Sequence, residues 1–333
     1  HMADSQDRFT AASVCIVGGG PAGLMAAQVL AQAGHKVQVF DAMPSLGRKF
    51  LLAGIGGLNI THSEEAASFI QRYSAPTDWV SDWLTQFSAQ SVRDWVHSLG
   101  VETFVGSSGR VFPKEMKAAP LLRAWLQYLR GMGVKIHTRS RWLGWDATGA
   151  LRIATESGER AVPARALLLA LGGASWPRLG SDAAWVALLQ EQGVAVATLE
   201  ASNCGFEVAQ WSAVFAEKYI GAPVKNTALS VAGQAFRQGE WVVTRHGIEG
   251  SLVYALSAAI RRELAEQGSC TVYLDCLPHK TLAQVQAALT QPRAKKTLKK
   301  YLQARLGLEG VKAALVREFA PDDSFADLQQ LAH

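Results

Sequence analysis

The sequence predicts an α/β fold built on a Rossmann-like dinucleotide-binding domain, and three observations carry that expectation. Residues 14–41 hold an apolar run, a glycine turn, a helix-like stretch, a second apolar run and an acid. Far downstream, the apolar run Ala166-Leu167-Leu168-Leu169-Ala170-Leu171 ends in Gly172-Gly173, with Pro177 shortly after. Beyond residue 193 the strand-like runs become short and β-branched, a change of texture that marks a second, β-rich domain.

The first unit reads residue by residue. Val14, Ile16 and Val17 make a buried strand. Gly18 permits a tight turn, Gly20 lets the backbone approach a pyrophosphate, and Gly23 lets the helix pack closely on the strand. Pro21 and Ala22 open that helix, whose unpaired N–H groups and partial positive charge face the phosphates. Val37 and Val39 form the second strand, and Asp41, with Ala42 beside it, is placed to bind two ribose hydroxyls. An ordinary glycine-rich turn leaves the acid unexplained. The unit alone allows NAD or FAD.

The remaining elements follow from periodicity. Residues 77–99 read as one helix in which Trp79, Trp83 and Phe87 recur every four residues, a stripe expected to pack into the core. Residues 118–131 read as a helix ended by Gly131. Val134–Trp145 and Leu151–Ala154 fit a hairpin or meander, and 182–192 a short helix. Val194–Leu199, Ala228–Val231, Trp241–Thr244 and Thr271–Leu274 read as strands, and 281–320 as helices split near Gly307 and Gly310. The implied domains are 13–192 for the dinucleotide, 193–280 for a β-rich substrate part and 281–330 for a helical subdomain.

Composition narrows the class. With 333 residues, 49% of them hydrophobic and 18% charged, the chain is globular and large enough for two domains. His1-Met2 reads as a tag scar. No signal peptide follows it, and the longest apolar run, around Ala166–Leu171, is far short of a membrane span. Cys15, Cys204, Cys270 and Cys276 show no CxxC spacing, so neither a disulfide frame nor a metal site is implied, and a reducing cytoplasm is expected. A net charge of +5 and a pI near 9.0 favour anionic partners, FAD and nucleic acid among them.

Four further stretches carry a resemblance. They are Gly47-Arg48-Lys49-Phe50, the block Ala53-Gly54-Ile55-Gly56-Gly57-Leu58-Asn59-Ile60-Thr61-His62, then Gly109-Arg110-Val111-Phe112-Pro113-Lys114, and Thr244-Arg245-His246-Gly247-Ile248-Glu249-Gly250. With the βαβ unit and the 166–177 stretch, whose apolar run, glycine pair and proline resemble the exit of two-dinucleotide-type flavoproteins, the chain is similar to the BaiN/RdsA-type bacterial flavoproteins (the YhiN-like family of NAD(P)/FAD-dependent oxidoreductases) over residues 13–320. The resemblance implies a FAD domain interrupted by a substrate domain, itself β-barrel-like plus helical. It implies reduction of an activated C=C bond, with NAD(P)H as transient electron donor; one branch makes dihydrouridine from uridine in ribosomal RNA. Two departures stand out. Leu58 and His62 occupy positions where the main branch carries Cys and Asn, and the last strand and glycine motif that return to the FAD domain are absent before His333.

The candidate site residues sort by chemistry, since the flavin carries the redox step and the protein binds and tunes it. Gly56 and Gly57 let a loop approach the flavin, Asn59 is placed to hydrogen-bond a ring carbonyl, and His62 is a candidate proton donor or a histidine satisfied within its loop. Arg48 and Lys49 are candidate phosphate or ribose contacts. Gly172 and Gly173 border the flavin domain's exit, and in such flavoproteins the backbone near Trp142 borders the adenine. Arg110, Lys114 and His246 are candidate substrate contacts, with helix capping and a plain turn as alternatives. The acid-free basic run Arg293, Lys295, Lys296, Lys299, Lys300 and Arg305, near Tyr301, reads as an RNA patch in the helix 293–305 or as that helix's solvated face. A small-molecule amine oxidase using FAD and oxygen, and a flavin-poor binding protein without catalysis, remain as alternative readings.

Overall fold

The computed structural model describes residues 13–73, 77–209 and 211–333, with Thr77, Asp322 and Asp323 described by backbone alone; the tag-like His1-Met2 lies outside these residues. The chain separates into two compact units, one running through Leu199 and the other Glu200–His333.

In the first unit, β1 (Val14–Val17) is buried along its whole length and feeds α1 (Pro21–Gln32) and β2 (Val37–Phe40). Then come α2 (Arg48–Ala53), β3 (Thr61–His62), α3 (Ala66–Ile70), α4 (Thr77–Gln86), α5 (Ala89–Ser98), β4 (Thr103–Val105) and β5 (Arg110–Pro113). After α6 (Ala119–Gly131), β6 (Lys135–His137) returns to β2, and an antiparallel meander follows, β7 (Arg141–Trp145), β8 (Leu151–Thr155) and β9 (Gly158–Val162). β10 (Ala166–Leu169) and α7 (Trp185–Glu191) complete the unit. The parallel sheet runs β10-β1-β2-β6, so β2 and β10 flank β1 on opposite sides. That reversal of strand order opens a crevice beyond the carboxyl end of β1, where open α/β sheets take their ligands.

The core beneath the sheet joins Ile16, Leu24 and Val39 to Leu122, Trp125 and Leu129 of α6. A single amide ties three helices together there. Gln28 of α1 is buried, and its Oε1 accepts from the indole N–H of Trp125 (2.8 Å) and of Trp95 (3.1 Å). Cys15 is fully buried in β1, and burial pushes its thiol up to about 11.

Several expectations are corrected. The stretch 77–99 is two helices, broken where Ser88 forms a capping box with Ser91 and starts α5. The Trp79, Trp83 and Phe87 stripe faces solvent, with Trp79 63% and Trp83 62% exposed. Val80 and Leu84, one position on, are the half-buried side of α4. β6 belongs to the parallel sheet and not to the meander. Among the described residues β10 is an edge strand, and Leu168 is exposed instead of lying in a buried strand. Residues 194–199 form no strand.

The second unit holds β11 (Phe206–Glu207), α8 (Ala213–Tyr219), β12 (Pro223–Val231), β13 (Arg237–Val243), β14 (Gly247–Glu249), α9 (Ser251–Gln267) and β15 (Val272–Asp275). Its five strands form an antiparallel sheet in the order β11-β14-β13-β12-β15. Leu252, Val253, Leu256 and Ile260 of α9 pack with Val224, Leu229, Trp241 and Val243 of this sheet. α10 (Leu282–Ala288), α11 (Leu298–Leu306), α12 (Gly310–Phe319) and α13 (Leu328–Ala332) follow within the same compact unit. Among the described residues no helix is long and apolar enough to cross a membrane.

Gln28→Ala is expected to lower stability by about 2–4 kcal/mol, because it strands two indole donors and opens a cavity. Chemical denaturation measures this; a loss below about 1 kcal/mol would show that the amide does not tie the helices.

Candidate dinucleotide-binding site

The crevice beyond β1 is a cavity of about 330 Å³ walled by the glycine turn, the end of β2, the start of α2, β7, the Ala170–Gly172 segment and α7. That is the lower end of the range for ligand cavities, enough room for part of a dinucleotide.

The three glycines divide by role. Gly18 has φ +111°, and a Cβ there would lie 2.0 Å from the Ala170 carbonyl oxygen. A Cβ on Gly23 would lie 1.8 Å from the Gly18 carbonyl oxygen. Both positions therefore serve packing. A Cβ on Gly20 would meet nothing within 4 Å, and Gly20 lines the cavity. Its missing side chain leaves room for a ligand. No side chain caps α1 at Gly20, so the helix's first N–H groups stay free for an anion.

The acid is positioned by backbone. Asp41 Oδ2 accepts from the Gly19 N–H and Oδ1 from the Met43 N–H, each at 2.8 Å. Each oxygen keeps a lone pair for a hydroxyl. Gly19 escaped sequence reasoning; a Cβ there would strike Leu46 at 2.2 Å. Arg48, Lys49 and Arg141 bring cations to the cavity. Lys49 Nζ reaches Ser175 Oγ at 2.5 Å, Arg48 Nε reaches Ser45 Oγ at 3.1 Å, and Arg141 lies 3.5 Å from Asp182.

Three more polar groups line the cavity: Trp142 Nε1, Trp185 Nε1 and Ser181 Oγ are buried and lack hydrogen-bond partners among the described residues. Native structures rarely leave such groups unpaired, and a nucleotide's ring and ribose atoms supply suitable acceptors. Trp185 and Ser181 carried no sequence signal, because Trp185 falls in what reads as an unremarkable short helix.

The other predicted residues separate. Gly18, Gly20, Pro21, Ala22, Asp41, Ala42, Arg48, Lys49, Trp142 and Gly172 line the cavity, and Gly23 lies beneath it. Gly56, Gly57, Asn59 and Gly173 do not line it. The Leu58 side chain is buried with Val96, Ala118 and Leu121. His62 borders a different cavity. Its Nδ1 accepts from the Glu64 N–H and its Nε2 lies 3.1 Å from the Ser108 carbonyl, which assigns the proton to Nε2 and commits both nitrogens to backbone. Arg110 is exposed, opposite His62 in the β3–β5 ladder. Lys114 is also exposed and pairs with Glu102 at 3.0 Å; this hydrogen bond holds the Glu102 carboxyl below its usual range and the lysine above its own. His246, in the second unit, sits exposed at the β13–β14 turn, its carbonyl accepting from Val208.

Fold and site together define a Rossmann-type dinucleotide-binding protein. The chain belongs to the family described as HI0933-like protein Rossmann domain, which it matches over residues 12–312, and with that family it is a FAD-dependent oxidoreductase. Two relatives are named ribosomal RNA dihydrouridine synthase. The one from Haemophilus influenzae is 26% identical over 325 residues, covering 95% of this chain and 77% of that protein. The one from Escherichia coli K12 is 24% identical over 255 residues, covering 76% of this chain and 61% of that protein. Among solved structures, a 3-ketosteroid-Δ4-(5α)-dehydrogenase from Rhodococcus jostii aligns with 54% of this chain and 53% of its own, at 17% identity and a TM-score of 0.43.

Gly20→Val is expected to leave the melting temperature within about 2 °C of the parent while weakening FAD binding at least about tenfold, because the added side chain points into the cavity. Gly23→Ala is expected to lower the melting temperature by about 5 °C, because its methyl meets backbone. Thermal melts and FAD titration of both variants check the division; equal stability losses would dissolve it.

Proposed function

We propose that this chain reduces the activated C=C bond of uridine in ribosomal RNA, using FAD reduced by NAD(P)H. The observation that carries the reading is the match of 95% of the chain to a ribosomal RNA dihydrouridine synthase. Bound FAD supplies the two-electron chemistry. The chain's own residues bind and orient it. In this reading the α1 N-terminus would hold its pyrophosphate, Asp41 would accept from a ribose, and Trp142, Trp185 and Ser181 would donate to its ring and ribose acceptors. Asn59, exposed at the end of the glycine block, is our candidate for a contact to the flavin ring.

The position of the family's Cys is a core position here, held by Leu58 at 5% exposure, so proton delivery does not use that side chain. His62 is assigned to fastening its loop, because both ring nitrogens are committed to backbone. His62→Asn is therefore expected to preserve the pH profile of turnover and to lower thermal stability modestly. A lost ionisation in the kcat profile would return His62 to proton transfer.

The RNA part rests on the basic run, all six cations of which are exposed. The run starts in a loop, since the helix begins only at Leu298. Tyr301 is 1% exposed and donates to the Gln291 carbonyl, so it offers no face for base stacking. The patch is a phosphate contact alone. Reversing Lys295, Lys296, Lys299 and Lys300 to Glu is expected to flatten the log affinity–log salt slope for single-stranded ribosomal RNA fragments by about 3. An unchanged slope would remove the patch from RNA binding. The cofactor itself is checked by the visible spectrum of the purified chain after FAD is added; flavin bands near about 450 nm, followed by bleaching with NADH, support the reading. A chain that stays colourless overturns it.

A further inference from the structure

A second cavity in the first unit, about 260 Å³, lies among α3, α4, α5 and the segment at His62, and shares no lining residue with the dinucleotide cavity. Its wall is chemically divided. Phe69, Ile70 and Leu84 form an apolar side, while Thr85, Ser88 and Arg93 form a polar one.

Arg93 is the anomaly. Its Nε is buried, and among the described residues it has no hydrogen-bond partner and its guanidinium makes no ion pair. The nearby acids are engaged elsewhere. Glu64, also on the wall, takes both Nε and Nη2 of Arg72, and Asp94 accepts from the Gln90 amide at 2.9 Å. The Ser88 hydroxyl is spent on the cap of α5. An arginine stem can lie on apolar surface with its head in water, but that arrangement does not bury an unpaired Nε–H. A guanidinium presents donors in a planar fork that matches a carboxylate.

We propose that this cavity binds a small organic carboxylate, with Arg93 as its counter-charge and Phe69, Ile70 and Leu84 packed on its apolar body. Size and charge both set the class. At about 260 Å³ the space lies just below the usual range for drug-sized ligands, hence a small ligand. One unpaired guanidinium compensates a single negative charge and leaves the second charge of a dianion such as phosphate without a counter-ion.

Benzoate is the probe, with benzamide as its neutral isostere and inorganic phosphate as the apolar-free anion. Ligand-observed NMR titration of the full chain is expected to show saturable benzoate binding at millimolar concentrations or tighter, unaffected by saturating FAD. Benzamide and phosphate are each expected to bind at least about tenfold more weakly. Arg93→Met, which keeps the stem, is expected to weaken benzoate at least about tenfold without lowering the melting temperature, since it removes a buried unpaired donor. Arg93→Lys, which keeps the charge but loses the fork, should fall between; it replaces Met as the decisive variant if Met does not fold. The proposal is overturned by any of four results: no saturation by about 10 mM benzoate, equal binding of acid and amide, tighter binding of phosphate than of benzoate, or loss of benzoate on adding FAD.

Discussion

The first unit depends on one close approach, that of α1 to the end of β1. The carbonyl of Gly18 occupies the space that any side chain at residue 23 would need. The helix therefore begins directly over the turn, and three consequences follow from its placement. The open first turn of α1 lies on the cavity wall. Gly18 meets Ala170, which brings the end of β10 to the same wall. Gly19 turns its N–H toward Asp41, so the acid of one strand is bound to the turn of another. One methyl group at residue 23 would meet the Gly18 carbonyl and strain this approach.

How much of this could be read from residues depends on how local the cause is. The βαβ unit was legible because each part has its own signature within thirty residues: apolar strand, glycine turn, helix, acid. The family resemblance extended that reading across most of the chain, and the match over residues 12–312 bears it out. Interactions that join distant segments were not legible. Trp185 and Ser181 reach the cavity only because β10 returns beside β1, and no spacing encodes that return. The aromatic stripe of α4 misled for a related reason. Fourfold spacing shows that Trp79, Trp83 and Phe87 share one face, but it does not say which face the rest of the unit covers. Val80 and Leu84 take that side instead.

The second unit shows the same limit in its charges. An acid-free run of six cations is plain in the sequence, yet only the structure separates them from Tyr301, which belongs to the hydrophobic cluster with Val285, Leu289 and Leu302. Cations exposed around a sequestered aromatic suit a backbone and not a base. In the phosphate-contact role proposed for it, a surface of that kind would contribute attraction without sequence preference.

The carboxylate of Asp41 is held at both oxygens by main-chain amides from two separate loops. Its orientation is thus inherited from the fold. The conformational entropy of ordering that side chain is lost during folding, and little remains to be lost when a nucleotide arrives. In the ribose-binding role proposed for it, Asp41 would meet its ligand as a near rigid body, in an encounter limited by diffusion and desolvation more than by rearrangement of the acid.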